Sequence, residues 1–311
     1  IATLIGIIIS CSEITIKNAT FTYSASGTET SVSTDIKVKT VIPNVDGSVS
    51  TGEGCDFTDF ALIAGKDIPD GLDFADGALM TGRNVVATVS DKANAKQAAD
   101  GETVTVLWNK TSPVSARALV LECENYFKHL DEAVLYFDEA YFAQKFEGIT
   151  LENCTQVIDE AVVGFEYLTQ EILSRFEKRF AFEYVQDEKI KPAKLVFVLK
   201  GSPDEADVLK NSAVRNSAAN IAGPFVAAAA AAFEAFAENI AAVYGGRDYV
   251  SVVLVRGDAS VELCKSDRNF TSWLCSYMDE VDNLKHKLNA KQCASWVKAG
   301  TKSPGGFGFL K

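Results

Sequence analysis

From Phe57 onward the hydrophobic positions fall into two kinds of block that alternate along the chain. One kind is a short, nearly continuous run of Val, Ile, Leu, Ala or Phe: Phe60–Gly65, Asn84–Val89, Val104–Leu107, Ala133–Phe137, Ala193–Lys200 and Tyr249–Val255. Runs of this length without polar alternation predict strands buried on both faces, as in a parallel sheet. The other kind has helical spacing. Gly71–Thr81 carries Leu72, Ala75 and Leu79 and is closed by Gly82, and Ser115–Lys128 is expected to bury Ala118, Leu119, Cys123 and Phe127. Thr150 reads as an N-cap, with Glu152 in the first turn, ahead of a stripe of Val157, Ile158, Ala161, Val162, Phe165, Leu168 and Ile172. The basic run Arg175–Arg179 reads as the end of that helix, where cations suit the dipole. Gly223-Pro224 opens an alanine-rich helix that stops at Tyr244, before Gly245-Gly246. Beyond Asp258 the spacing predicts a helix over Trp273–Leu288 and a short one over Ala290–Lys298.

Strand and helix in strict alternation predict an α/β fold, a Rossmann-like doubly wound parallel sheet, over residues 55–311. Residues 1–54 have a different texture. They are rich in Ser, Thr, Gly and Val, and the patches Ile14–Lys17, Phe21–Ser24 and Ile36–Val41 alternate polar with apolar. That pattern predicts an N-terminal β-rich extension of exposed strands or hairpins, which either wraps its own domain or exchanges as an arm with a neighbour's sheet edge.

Charge narrows the partners. A net charge of −12 and a pI near 4.8 argue against nucleic acid and anionic membrane surfaces, which need a basic face. The cysteines (Cys11, Cys55, Cys123, Cys154, Cys264, Cys275 and Cys293) include no C-x-x-C pair, so no zinc or thioredoxin-type motif is written here. Scattered thiols in a chain of 311 residues fit a reducing, cytoplasmic setting. His129 and His286 stand in charged helical contexts and read as surface residues, leaving little for a metal-histidine or Ser-His-Asp mechanism. No run approaches the ~20 apolar residues of a membrane span. Ile8-Ile-Ser-Cys11, after the apolar start, has the outline of a lipoprotein cleavage site and keeps the cell envelope as the alternative location.

Residues 57–257, about two thirds of the chain, resemble the short-chain dehydrogenase/reductase family. The resemblance is carried by Ala61-Leu-Ile-Ala-Gly65, Gly71-Leu and Leu79–Thr88 as the first βαβ unit. Thr111–Ser115 with Ala118-Leu-Val follows the third strand, and Phe146–Asp159 with Gly164–Thr169 forms the fourth helix. It implies a dinucleotide, NAD(P), on a glycine-rich turn whose first and third glycines are Gly65 and Gly71, with Asn109 near the adenine. Position 69 of that turn is Pro69, between Asp67 and Asp70. Proline removes an N–H, and the carboxylates repel a pyrophosphate. The family's Asn-Asn-Ala-Gly is replaced by Leu135-Tyr-Phe-Asp138, and the asparagine of its fourth helix by Ala161. Ser202 is the serine nearest the catalytic position and reads first as a turn residue. The Tyr-x-x-x-Lys positions, where a tuned tyrosine exchanges the proton, fall on Val226 and Ala230, and residues 225–232 contain neither Tyr nor Lys. Tyr244 and Tyr249 read as packing residues.

The expectation is a catalytically silent protein of this fold with a structural, self-assembling or regulatory role and no required cofactor or metal. Homo-oligomer contacts are expected through the helices at 151–175 and 224–244, and the alanines Ala227–Ala232 serve either that interface or tight packing on the protein's own sheet. Two alternatives stay open. One is an NAD(P)-dependent oxidoreductase working through Ser202, Lys200 or Tyr136; the other is a small-molecule-binding protein that uses the cleft at the strand C-termini.

Overall fold

The computed structural model describes residues 59–92, 103–127, 129–147, 150–185, 191–202, 223–259, 261–284 and 286–302, together with residues 14–25, 28–38, 42–43 and 49–50 nearer the N-terminus. The chain divides into two compact units, Ile1–Thr58 and Asp59–Lys311. In the first, β1 (Ile14–Ala25) and β2 (Thr28–Val38) pair antiparallel, with the register slipping between Ile16 and Ala19 as at a β-bulge. A shorter antiparallel pair joins β3 (Ile42–Pro43) to β4 (Val49–Ser50). The alternating stretches Phe21–Ser24 and Ile36–Val38 lie in these strands, whereas Ile8–Cys11 and residues 39–41 fall outside the described residues.

The second unit is built on seven parallel strands: β5 (Phe60–Ala64), β6 (Asn84–Val89), β7 (Val104–Leu107), β8 (Glu132–Asp138), β9 (Ala193–Gly201), β10 (Val250–Asp258) and β11 (Trp296–Lys298). Their spatial order is β11-β10-β9-β8-β5-β6-β7, a doubly wound Rossmann-like sheet. The continuous apolar runs are buried on both sides, without exception in β5 and β8. One face is covered by α1 (Leu72–Leu79) and, after the helices of the other face, by the last long helix, Asp267–Asp282. Phe74 stacks on Tyr136 at 4.3 Å, and Phe270 meets both rings edge-on.

The other face carries α2 (Pro113–Phe127) and α3 (Glu139–Lys145), then α4 (Leu151–Ile158), a π-helical turn (Asp159–Val163), α5 (Gly164–Val185) and α6 (Pro224–Tyr244). Its centre is aromatic: Phe137 touches Phe142, Phe165 and Phe233, and Phe233 in turn meets Phe165 and Phe197. α7 is the helix Asp267–Asp282, and α8 (Ala290–Cys293) precedes β11.

Several expectations need correction. The π turn adds a residue to the helical repeat, so the stripe passes through Val157, Ala161, Phe165, Leu168 and Ile172 and leaves Ile158 51% exposed. Arg175–Arg179 is not a helix terminus, because α5 continues to Val185; Arg179 instead reaches Asp131 at 2.6 Å. Ala118 is exposed, and α2 buries Ala116, Leu119, Val120 and Cys123. The helix expected over Trp273–Leu288 begins at Asp267, where the Ser266 side chain accepts from the Asn269 amide, and it stops at Asp282. The stretch expected as a second short helix ends in β11, whose three residues are too few to show a strand pattern. Finally, α6 is by length and composition apolar enough to cross a membrane, against the expectation of no such run. Here it is the crossover between β9 and β10, and Val226, Ala229, Phe233 and Ala237 face the core.

Candidate functional site

In an open parallel sheet the loops diverge where the strand order reverses, and ligands lodge beyond the strand C-termini at that point. Here the reversal lies between β5 and β8. The turn leaving β5 holds both glycines that the resemblance assigns to a dinucleotide. Gly65 has φ +126°, and a Cβ there would stand 2.1 Å from the Tyr136 carbonyl oxygen. A Cβ on Gly71 would stand 2.2 Å from the Lys66 carbonyl oxygen. The turn's own packing therefore requires both glycines, with or without a ligand.

The turn lies down on the neighbouring strand. Ile68 donates its amide to the Thr88 carbonyl at 3.0 Å, and Gly71 donates to the Asp67 carbonyl at 2.9 Å. Asp67, 2% exposed, points its carboxylate inward. It is ion-paired to Lys110, accepts from Thr88 Oγ1 at 2.8 Å, and lies 3.4 Å from the Tyr141 hydroxyl. The Lys110 ammonium stands 4.9 Å from the centre of the Trp108 ring. Burial pulls the Lys110 pKa below its ordinary value, and Asp67 offsets only part of that. Asn109, the position assigned to the adenine, is exposed and turns away to local partners. Its Oδ1 accepts from the Thr111 amide and hydroxyl at 3.1 and 2.9 Å, a side-chain turn that launches α2.

A second cluster lies on the α1/α7 side. Lys66, next to Gly65, donates to Asp138 at 2.9 Å and to Asp267 at 2.8 Å. Lys200, at the end of β9, donates to Asp267 at 2.7 Å, and the Tyr136 hydroxyl lies 3.2 Å from Asp138 and 3.1 Å from Asp267. Side chains on β8 and β9 alternate, so Tyr136, Asp138 and Lys200 share one face, and the register sets Asp138 opposite Lys200. Asp267 joins them from the first turn of α7, where the helix dipole favours an anion.

Burial alone would lower the Lys66 pKa, but Asp138 and Asp267 outweigh it and the net shift is upward. Burial would raise the Asp267 pKa, but Lys66 and Lys200 hold it below the usual carboxylate range. Burial, reinforced by both carboxylates, pushes the Tyr136 phenol well above 10. These shifts fix each group in one protonation state and move it away from the neutral range in which a general acid or base works best.

Tyr136 and Lys200, two of the groups considered for alternative chemistry, are thus brought together, whereas the third is not. Ser202 is tied through its amide and hydroxyl to Glu139, each at 2.7 Å. Val226 and Ala230, at the proton-relay positions, are 1% and 4% exposed. Ala161 sits fully buried in the π turn. Sequence reasoning missed Lys66, Thr88, Lys110, Tyr141 and Asp267. The only signal was that apolar strands end in charged residues, as at Asp138 and Lys200.

The opposite, N-terminal end of the sheet carries another charged network. Arg83 grips Glu132 through Nε at 2.6 Å and Nη2 at 3.1 Å and reaches Asp279 at 2.7 Å. Lys194 bonds Glu132 and Asp282, each at 2.8 Å. Oxygens of Asp59, Glu132 and Asp279 come within 4.8 Å of one another, but Arg83 and Lys194 already supply the counter-charge. Burial lifts the Asp59 pKa, partly countered by Lys194.

No protein-family model matches the chain. In sequence it is similar to an uncharacterised protein of Treponema pallidum, 23% identical over 200 residues that make up 64% of this chain and 74% of that protein. In structure it is similar to a short-chain dehydrogenase of Mycobacterium smegmatis, with a TM-score of 0.53 and 16% identity over 79% of this chain and 92% of that one. It is also similar to a double mutant of a Serratia marcescens short-chain dehydrogenase/reductase, with a TM-score of 0.50 and 12% identity over 79% and 96% of the two chains. The fold is that of the short-chain dehydrogenases/reductases. At such identities the likeness extends to the fold alone.

Proposed function

We propose that the protein is a non-catalytic member of this fold that acts as a self-assembling structural or regulatory subunit. The observation that carries the reading is the turn after β5. Asp67 and Lys110 fill the space beneath it, the Ile68 amide is committed to Thr88, and no N–H at Pro69 is left to meet a pyrophosphate. The relay positions agree, since Val226 and Ala230 have no proton to give. Support for assembly comes from the outer side of α6 and its neighbour α4, which pack together. Ala227, Ala228, Ala231 and Ala235 are exposed there, as are Leu151 and Ile158. A smooth alanine face of this kind lets a second helix approach closely. Residues 1–54 would add an exchanging arm.

Titration of the purified protein with NADH and NADPH, read by nicotinamide fluorescence or calorimetry, tests the reading. No saturation up to millimolar cofactor is expected, and micromolar binding would overturn it. Sedimentation velocity tests assembly in the same preparation: mass should rise with concentration and fall for Ala231→Glu. A monomer at all concentrations would remove the assembling role.

A further inference from the structure

Three donors from three separate elements converge on the Asp67 carboxylate: Thr88 from the end of β6, Lys110 from the β7–α2 connection and Tyr141 from α3. The scaffold positions each of them independently of Asp67. Thr88 is fully buried at its strand end, Lys110 packs over Trp108, and Tyr141 meets Phe142 edge-on. Asp67 alone comes from the turn. An ammonium that is 3% exposed demands an anion, because a buried charge without a partner is strongly destabilising. A carboxylate and one edge of a phosphate present similar paired acceptors to such donors.

We propose that Thr88, Lys110 and Tyr141 form an anion-binding cradle that the chain occupies with its own Asp67, so that a small carboxylate or phosphate gains the site only when that side chain leaves. The contact is an internal substitute for a ligand. It deepens the non-catalytic reading above by naming what holds the crevice filled, and it is tested separately from cofactor binding.

The test is anion rescue of Asp67→Ala in the full chain, with Tm followed in sodium formate or sodium phosphate against sodium chloride at matched ionic strength. The variant should melt below the wild type. Formate or phosphate should then raise its Tm saturably, by about 2–3 °C at ten times the dissociation constant. Wild-type protein should respond to none of the salts beyond chloride, and the response should vanish in Asp67→Ala/Lys110→Met. Rescue by formate alone restricts the class to carboxylates, and rescue by both extends it to phosphates. A natively folded Asp67→Ala that treats all three salts alike overturns the proposal. If that variant does not fold unaided, the yield on refolding from urea in each salt is the readout, and a yield indifferent to the anion overturns the proposal equally. Binding of NADH by the wild type would count against the closed crevice without producing or removing this rescue.

Discussion

The two ends of the sheet are built from the same parts and behave differently. β8 and β9 each carry a charged residue at both ends, in register: Glu132 opposite Lys194 and Asp138 opposite Lys200. α7 runs along both pairs, offering Asp267 at its start and Asp279 and Asp282 at its end, about 22 Å apart at the usual rise per residue. At the N-terminal end Glu132 is fully buried and held by two forked bonds from Arg83 and one from Lys194. At the C-terminal end the lysines retain 13–15% exposure, so water reaches the network. One network is a sealed cross-link. The other stands at the end of the sheet where this architecture puts a ligand, beside the turn that Asp67 ties inward to Lys110. Paired acids and lysines therefore say little about role until their end of the strand is known.

The largest effect should come from the sealed end. Glu132→Gln leaves Arg83 and Lys194 without their shared carboxylate, a loss of about 3–5 kcal/mol expected for a broken buried pair. Urea unfolding measures it. A loss below about 1 kcal/mol would mean that Asp59, Asp279 and Asp282 re-pair the two cations, and the contrast between the ends would weaken.

At the open end Asp267→Asn should cost less, about 1–3 kcal/mol, since partial solvation softens the loss. Its pH dependence carries the sign. Asp267 has a depressed folded pKa, so its contribution is present above the unfolded value of about 3.9 and is lost as pH falls through the folded value. Lys66 has a raised pKa, so its contribution holds below about 10.5 and is lost as pH rises through the folded value. The stability gap between wild type and Asp267→Asn should therefore be widest between those limits and should close in acid. A gap that is unchanged in strong acid would show that the loss comes from packing rather than charge.

The smallest effect belongs to the exposed turn. Asn109→Ala should change stability by no more than about 0.5 kcal/mol, in keeping with a surface side chain bonded only to its own turn. Thermal denaturation suffices as the measurement. A loss of several kcal/mol would place Asn109 within the site after all.

Legibility followed sequence distance. Thr150, Pro224 and Gly245 marked helix ends correctly because caps are local, and buried strands were visible because their runs are continuous. Tyr136, Lys200 and Asp138 could be named as residues, but not as a group. Their meeting with Asp267 depends on where α7 lands, 201 residues from Lys66. The stripe of α4 and α5 was misread at Ile158 because a π turn leaves no signature in composition.

The sequence by itself determined the alternation of buried strands and covering helices and the absence of proton-transferring groups at 226 and 230. Periodicity and residue identity are properties of short stretches, and burial acts on them directly. Only the tertiary structure decided that Gly65 and Gly71 serve the turn's own packing, that Asp67 turns inward to Lys110, and that Lys66, Asp138, Lys200 and Asp267 close on one another. A charge that leaves water must find its partner within a few ångströms, and the fold, not the local sequence, sets which residues lie that near.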